Sequence, residues 1–174
     1  LDIISGEPLD ACTARRLSES TGINRAYIHF WFGGKTGLFR SAEAVLLERI
    51  AEQIARDGRM DVRHPDISTA ARLSAYLCIH DPGFVYSERR PVIDAVMTNL
   101  KNEFGLPDEQ ALLIAKWFVG SLLAANVFDA QLDALKDLDA YRDLAFSMVE
   151  LVATSNRNAS GNVENGQSRI EPAT

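Results

Sequence analysis

Apolar residues recur at spacings of three and four along almost the whole chain, and nowhere do they alternate as a half-buried strand requires. That periodicity predicts an all-α fold. Leu38, Ala42, Val45, Leu46, Ile50 and Ile54 mark a long helix ending near Asp57-Gly58. Asp66-Ile67-Ser68 is placed to cap a helix running to about His80, which Asp81-Pro82-Gly83 ends. Pro91 suits the first turn of a helix closed by Gly105, and Pro107-Asp108-Glu109 opens a long apolar helix to about Phe128. Residues Asp137 to Asp139 introduce a last helix reaching about Thr154. From Ser155 onward Asn, Gly, Ser and Gln displace apolar residues, so residues 155–174 are expected to form a disordered tail.

The first forty residues carry a more specific pattern. Thr13 precedes a short amphipathic stretch to Ser20 and can accept hydrogen bonds from the free N–H groups of a helix start. Gly22 suits the left-handed geometry that ends such a helix, and Asn24 can cap a second one running to about Trp31. Two short helices joined by a three- to four-residue turn containing glycine form a helix-turn-helix. Ile23, Ile28 and Phe32 point back toward the first helix, whereas Arg25, Ala26, Tyr27, His29, Phe30 and Trp31 lie on the other side. On that side Arg25 can take guanine bidentately or grip a phosphate, and small Ala26 permits close approach to the major groove. Tyr27, His29 and Trp31 offer hydroxyl, imidazole and indole donors, and the aromatics can also touch thymine methyl groups. Lys35, after Gly33-Gly34, is set to meet a phosphate from the start of the next helix, and Arg15 is a further phosphate candidate.

The segment Gly22-Ile-Asn-Arg-Ala-Tyr-Ile-His-Phe-Trp-Phe-Gly-Gly-Lys-Thr-Gly-Leu38 resembles the recognition-helix signature of the tetracycline-repressor (TetR) family of regulators, over roughly residues 6–50. The resemblance implies base or phosphate contact for Arg25, Ala26, Tyr27, His29, Phe30 and Trp31. It implies phosphate contact for Thr13 and Lys35, and core roles for Leu17, Ile23, Ile28, Phe32 and Leu38. His29 stands where the family usually has a phosphate-binding tyrosine, and Gly33 where proline is frequent. The chain opens at Leu1-Asp-Ile-Ile-Ser-Gly6 without methionine, which reads as the end of a helix whose beginning lies outside the sequence.

The expected organisation is a helix-turn-helix DNA-binding domain at residues 1–40, followed by a helical effector-binding and dimerisation domain at 41–154. Charge follows the same division. Residues 1–40 hold five basic and four acidic side chains, a net +1, which leaves −7 in the rest of a chain whose total is −6. An acidic body behind a weakly basic head orients the head toward a polyanion, and two heads per molecule would strengthen the hold. Around 108–128 apolar residues run nearly round the cylinder, and Leu144, Ala145, Met148, Val149 and Val152 make a second stripe at 139–154, more than a monomer covers. A two-fold four-helix interface would bury them, and the resemblance implies the same pair of helices as the dimer interface.

Tyr76, His80, Tyr86, Trp117 and Asn126 are polar or aromatic groups among apolar neighbours, and are the candidates for lining a cavity that takes a small hydrophobic or amphipathic effector. The three histidines fall in no zinc-binding or acid–base pattern, so no catalytic residue, metal site or cofactor is expected. Two cysteines in no metal-ligand spacing suit packed small residues in a reducing compartment. No apolar run is expected to reach membrane-spanning length and no signal pattern is present, so the expected location is cytoplasmic and away from membranes. The competing reading is an all-helical protein-interaction module that does not bind DNA, which the net negative charge favours.

Overall fold

The structure, a computed structural model, describes residues 4, 8–62, 64–81, 83–84, 90–128, 143–144 and 146–155. Tyr86, the segment 129–142 and the predicted tail from residue 156 lie outside the described residues. All regular structure among the described residues is helical, as the apolar spacing predicts. A 3-10 turn at Leu9–Ala11 leads into α1 (Ala14–Thr21), α2 (Arg25–Phe32), α3 (Lys35–Asp57), α4 (Pro65–His80), α5 (Pro91–Phe104) and α6 (Asp108–Val127). A further helix, α7, spans Phe146–Ser155.

Local chemistry sets the helix ends. The Thr13 hydroxyl oxygen accepts from the Arg16 N–H at 3.2 Å, and the Asn24 side-chain oxygen accepts from the Ala26 N–H at 2.8 Å. Each cap is worth about 1 kcal/mol. Between them Gly22 takes φ 70°, a conformation that costs an L side chain strain. Helix α4 starts differently from the sequence expectation. His64, not Asp66 or Ser68, is its cap, with Nδ1 accepting from the Asp66 N–H at 3.2 Å, and Pro65 fills the first turn where no N–H is needed.

Helix α3 is the spine, packing on α4 and α5, while α6 closes the bundle against both of those helices. Phe39, Leu46 and Ile54 of α3 and Leu73 and Leu77 of α4 are fully buried at its centre. Ala111 and Ala115 of α6 and Val149 and Ala153 of α7 complete the same core. The buried stripe of α3 is displaced from the sequence reading: it runs Phe39, Glu43, Leu46, Ile50, Ile54, while Val45 faces solvent and Leu38 and Ala42 are only half-buried. Residue 40, the expected domain boundary, falls inside this continuous helix.

Two further expectations change. Cys12 is buried, its thiol 3.6 Å from the Pro8 carbonyl, but Cys78 is exposed. Helix α6, twenty residues long, is long and apolar enough to cross a membrane by length and composition, contrary to the sequence expectation. Its Ala111, Ala115, Leu122 and Ala125 are buried, and it packs against α4 and α5.

Candidate nucleic-acid interface and ligand cavity

Helices α1 and α2 are eight residues each, two turns, so each offers little more than one side chain to a core. Leu17 and Ile28 are those side chains. Ile23 is 51% exposed and Phe32 39%, so neither is buried as its expected inward role requires. The approach of α2 to α3 is close. A Cβ on Gly37 would collide with the Phe32 carbonyl oxygen, so glycine is required there.

Anchored by Ile28, α2 turns the rest of its surface outward. Arg25, Ala26, Tyr27 and His29 are exposed, and Phe30 and Trp31 are 76% and 70% exposed, touching each other edge to face at 5.1 Å between ring centroids. An aromatic pair left in water forgoes the burial that normally places such rings inside. A surface that keeps rings, an imidazole and a guanidinium on one short rod has the donors and stacking faces that base edges and phosphates accept. Thr13 is exposed beside it, its oxygen already engaged as the α1 cap. Arg15 is also exposed and pairs with Glu19 one turn on, at 2.8 Å.

Lys35 opens α3, as the sequence predicts. Its ammonium sits 4.9 Å from the Tyr76 ring centroid and 5.2 Å from that of Phe39. Tyr76 meets Phe39 edge to face at 5.3 Å and stacks on His80 at 4.1 Å. A residue expected to hold phosphate and two expected to hold an effector thus form one cluster, where the start of α3 meets the end of α4. A cation over aromatic faces is worth about 0.5–1 kcal/mol at an exposed site.

The candidate effector residues do not gather in one place. Trp117 lines a small cleft of about 70 Å³ between α3, α5, α6 and α7, together with Phe104, Phe118 and Phe146. The Asn126 amide donates to the Leu122 carbonyl of its own helix at 2.9 Å. The large cavity, about 580 Å³, is walled by α3, α4, α5 and α6, and among the described candidates none of Tyr76, His80, Trp117 and Asn126 lines it. Ligand sites commonly enclose about 300–1,000 Å³ with mostly apolar walls and a few placed polar groups. Here the walls are Ile50, Ile67, Val92 and Leu122 with others of their kind, and the described polar side chains among them are Arg40, Glu43, Glu48, Ser74 and Arg90.

Glu43 is only 6% exposed. The Ser74 hydroxyl donates to its Oε1 at 2.8 Å, and among the described residues its Oε2 has no hydrogen-bond partner. Burial pushes the Glu43 carboxyl above its ordinary range, and the Ser74 hydrogen bond partly offsets the shift. At the cavity wall Arg40 forms a two-nitrogen ion pair with the buried Asp81, whose other oxygen accepts from the Gly83 N–H at 3.1 Å. Glu43 was legible in one respect: it is the only charged residue in a stripe whose other members are apolar. Among the described residues no three metal-ligating side chains converge.

The chain was compared with known proteins, and no family model, curated protein or solved structure matches it.

Proposed function

We propose that this chain is a DNA-binding transcription regulator of the kind its TetR-like segment implies: a cytoplasmic homodimer that occupies a quasi-palindromic operator as a repressor and is released by a small effector. The observation that carries this reading is the outward face of α2. Arg25, Tyr27, His29, Phe30 and Trp31 all stand in solvent on a helix fixed from behind by Ile28. In this reading α1 and α2 are the helix-turn-helix, and α2 lies in the major groove with Arg25 and Ala26 near its leading end.

Dimerisation follows from a second exposed surface. Leu113 and Trp117 on α6, Leu144, and Met148, Leu151 and Val152 on α7 are all exposed apolar side chains. A two-fold partner covers them and sets the two recognition helices about 34 Å, one DNA turn, apart or at a multiple of it. The effector occupies the cavity between α3 and α6 and acts by favouring a spacing of the heads that does not fit the operator. Its effect is bounded by its differential affinity for the two spacings.

The exposed rings and the net charge of −6 also favour one rival, a helical protein-interaction module. Selection of bound duplexes from a random pool separates the two, with Arg25→Glu as the control. Reversing Lys35 would also disturb its packing on Tyr76 and Phe39. The regulator enriches a quasi-palindrome, loses it in the control, and binds less as salt rises. No enrichment at any salt concentration leaves the interaction module.

A further inference from the structure

Among the described residues, the cavity between α3 and α6 has one charged side chain deep in its wall with capacity to spare. Glu43 is nine-tenths buried, lines the cavity, and gives only one of its oxygens to a described partner, Ser74. The other described charged groups around the cavity are committed or peripheral. Arg40 is neutralised by Asp81, Glu48 is already engaged, and Arg90 is exposed just ahead of α5. An anionic ligand reaching inward would place its charge against Glu43. A purely apolar one would leave a buried carboxyl oxygen facing hydrocarbon, which is costly.

We propose that the ligand of this cavity is an amphipathic organic cation, an apolar body carrying one protonated amine, with the amine donating to Glu43. The apolar walls from Ile50, Ile67, Val92 and Leu122 take the body, and the volume of about 580 Å³ admits a molecule well beyond a single ring. The carboxylate and Ser74 fix the orientation of the amine, since a charge-assisted hydrogen bond in a dry site is stronger than a neutral one. This inference deepens the effector reading above and rests on that reading for its biological role.

The test is calorimetric titration of the full chain, without DNA, using octylamine, octanol and octanoate, which share a chain and differ in head group. The wild-type protein binds octylamine at least about tenfold more tightly than octanol, and octanoate least. In Glu43→Gln, which keeps the size of the side chain and an oxygen for Ser74, octylamine loses about tenfold or more while octanol is unchanged. Tightest binding by octanoate overturns the proposal, as does binding of none of the three or an octylamine affinity that Glu43→Gln leaves intact. Because no duplex is present, any of those failures leaves the DNA reading standing. The wild-type series decides the matter even where the variant folds poorly.

Discussion

Helix α2 turns aromatic rings to water, whereas α3 turns a carboxylate toward the core. Both invert the usual amphipathic rule, yet for opposite reasons of scale. Two-turn α2 is held by one buried residue, Ile28, and its exposed rings forgo about 1.5–3 kcal/mol of burial each without straining anything. Helix α3 has twenty-three residues and a stripe of Phe39, Leu46, Ile50 and Ile54, so it tolerates one acid among them. Each inversion is sustained by neighbours that obey the rule. In the proposed function, both inversions mark places where a binding partner would satisfy what folding left open.

The contrast breaks if the rings of α2 matter to the fold. Leu73→Ala, at the fully buried centre of α4, should cost about 2–5 kcal/mol in denaturant unfolding. The Phe30→Ala/Trp31→Ala protein should unfold within about 0.5 kcal/mol of wild type, as surface changes do. A comparable loss in both would place the rings in the core's service. The same double variant should lower duplex affinity about tenfold or more in a fluorescence-anisotropy titration, because it removes both stacking faces of α2. A third effect concerns the other exposed apolar face. Leu151→Glu should shift the sedimentation mass from dimer toward monomer and leave the helical circular dichroism unchanged, since Leu151 makes none of the core.

The smallest effect sharpens the other side of the comparison. Burial raises the Glu43 carboxyl above its ordinary range, so the folded chain binds that proton more tightly than the unfolded chain. Stability from this group is therefore complete below pH 4.5, declines as pH rises through the folded value, and stays reduced above it. The charges around the same cavity are Arg40 and Glu48 on α3, Asp81 after α4 and Arg90 before α5. Glu43→Gln should raise the thermal midpoint at pH 7 by a few degrees, on the order of 2–4 °C per kcal/mol for a chain of this size, with the gain vanishing in acid. A gain that persists below pH 4.5 would assign it to packing instead of charge.

Much of the helical layout was legible because its signals are short-range. Thr13 and Asn24 cap α1 and α2, Gly22 and Gly105 end α1 and α5, and Pro91 opens α5, all through groups within four residues of one another. The solvent-facing set of α2 was legible as well, because a helix of known register has only one side opposite Ile28. The surroundings of Tyr76 and His80 were not. Tyr76 and His80 read as cavity groups from composition, but they stack beneath Lys35, forty-one and forty-five positions away in sequence.

The sequence by itself determined that this chain is helical, where most of its helices start and stop, and which side chains α2 can offer. Tertiary structure alone decided which stripe of α3 turns inward, that Ile23 and Phe32 stay wet, and that Glu43 and Ser74, thirty-one residues apart, meet on a cavity wall. Caps and periodicity act through neighbours along the chain. Burial and cavity shape depend on which other helices arrive, and a side chain's spacing carries no record of them.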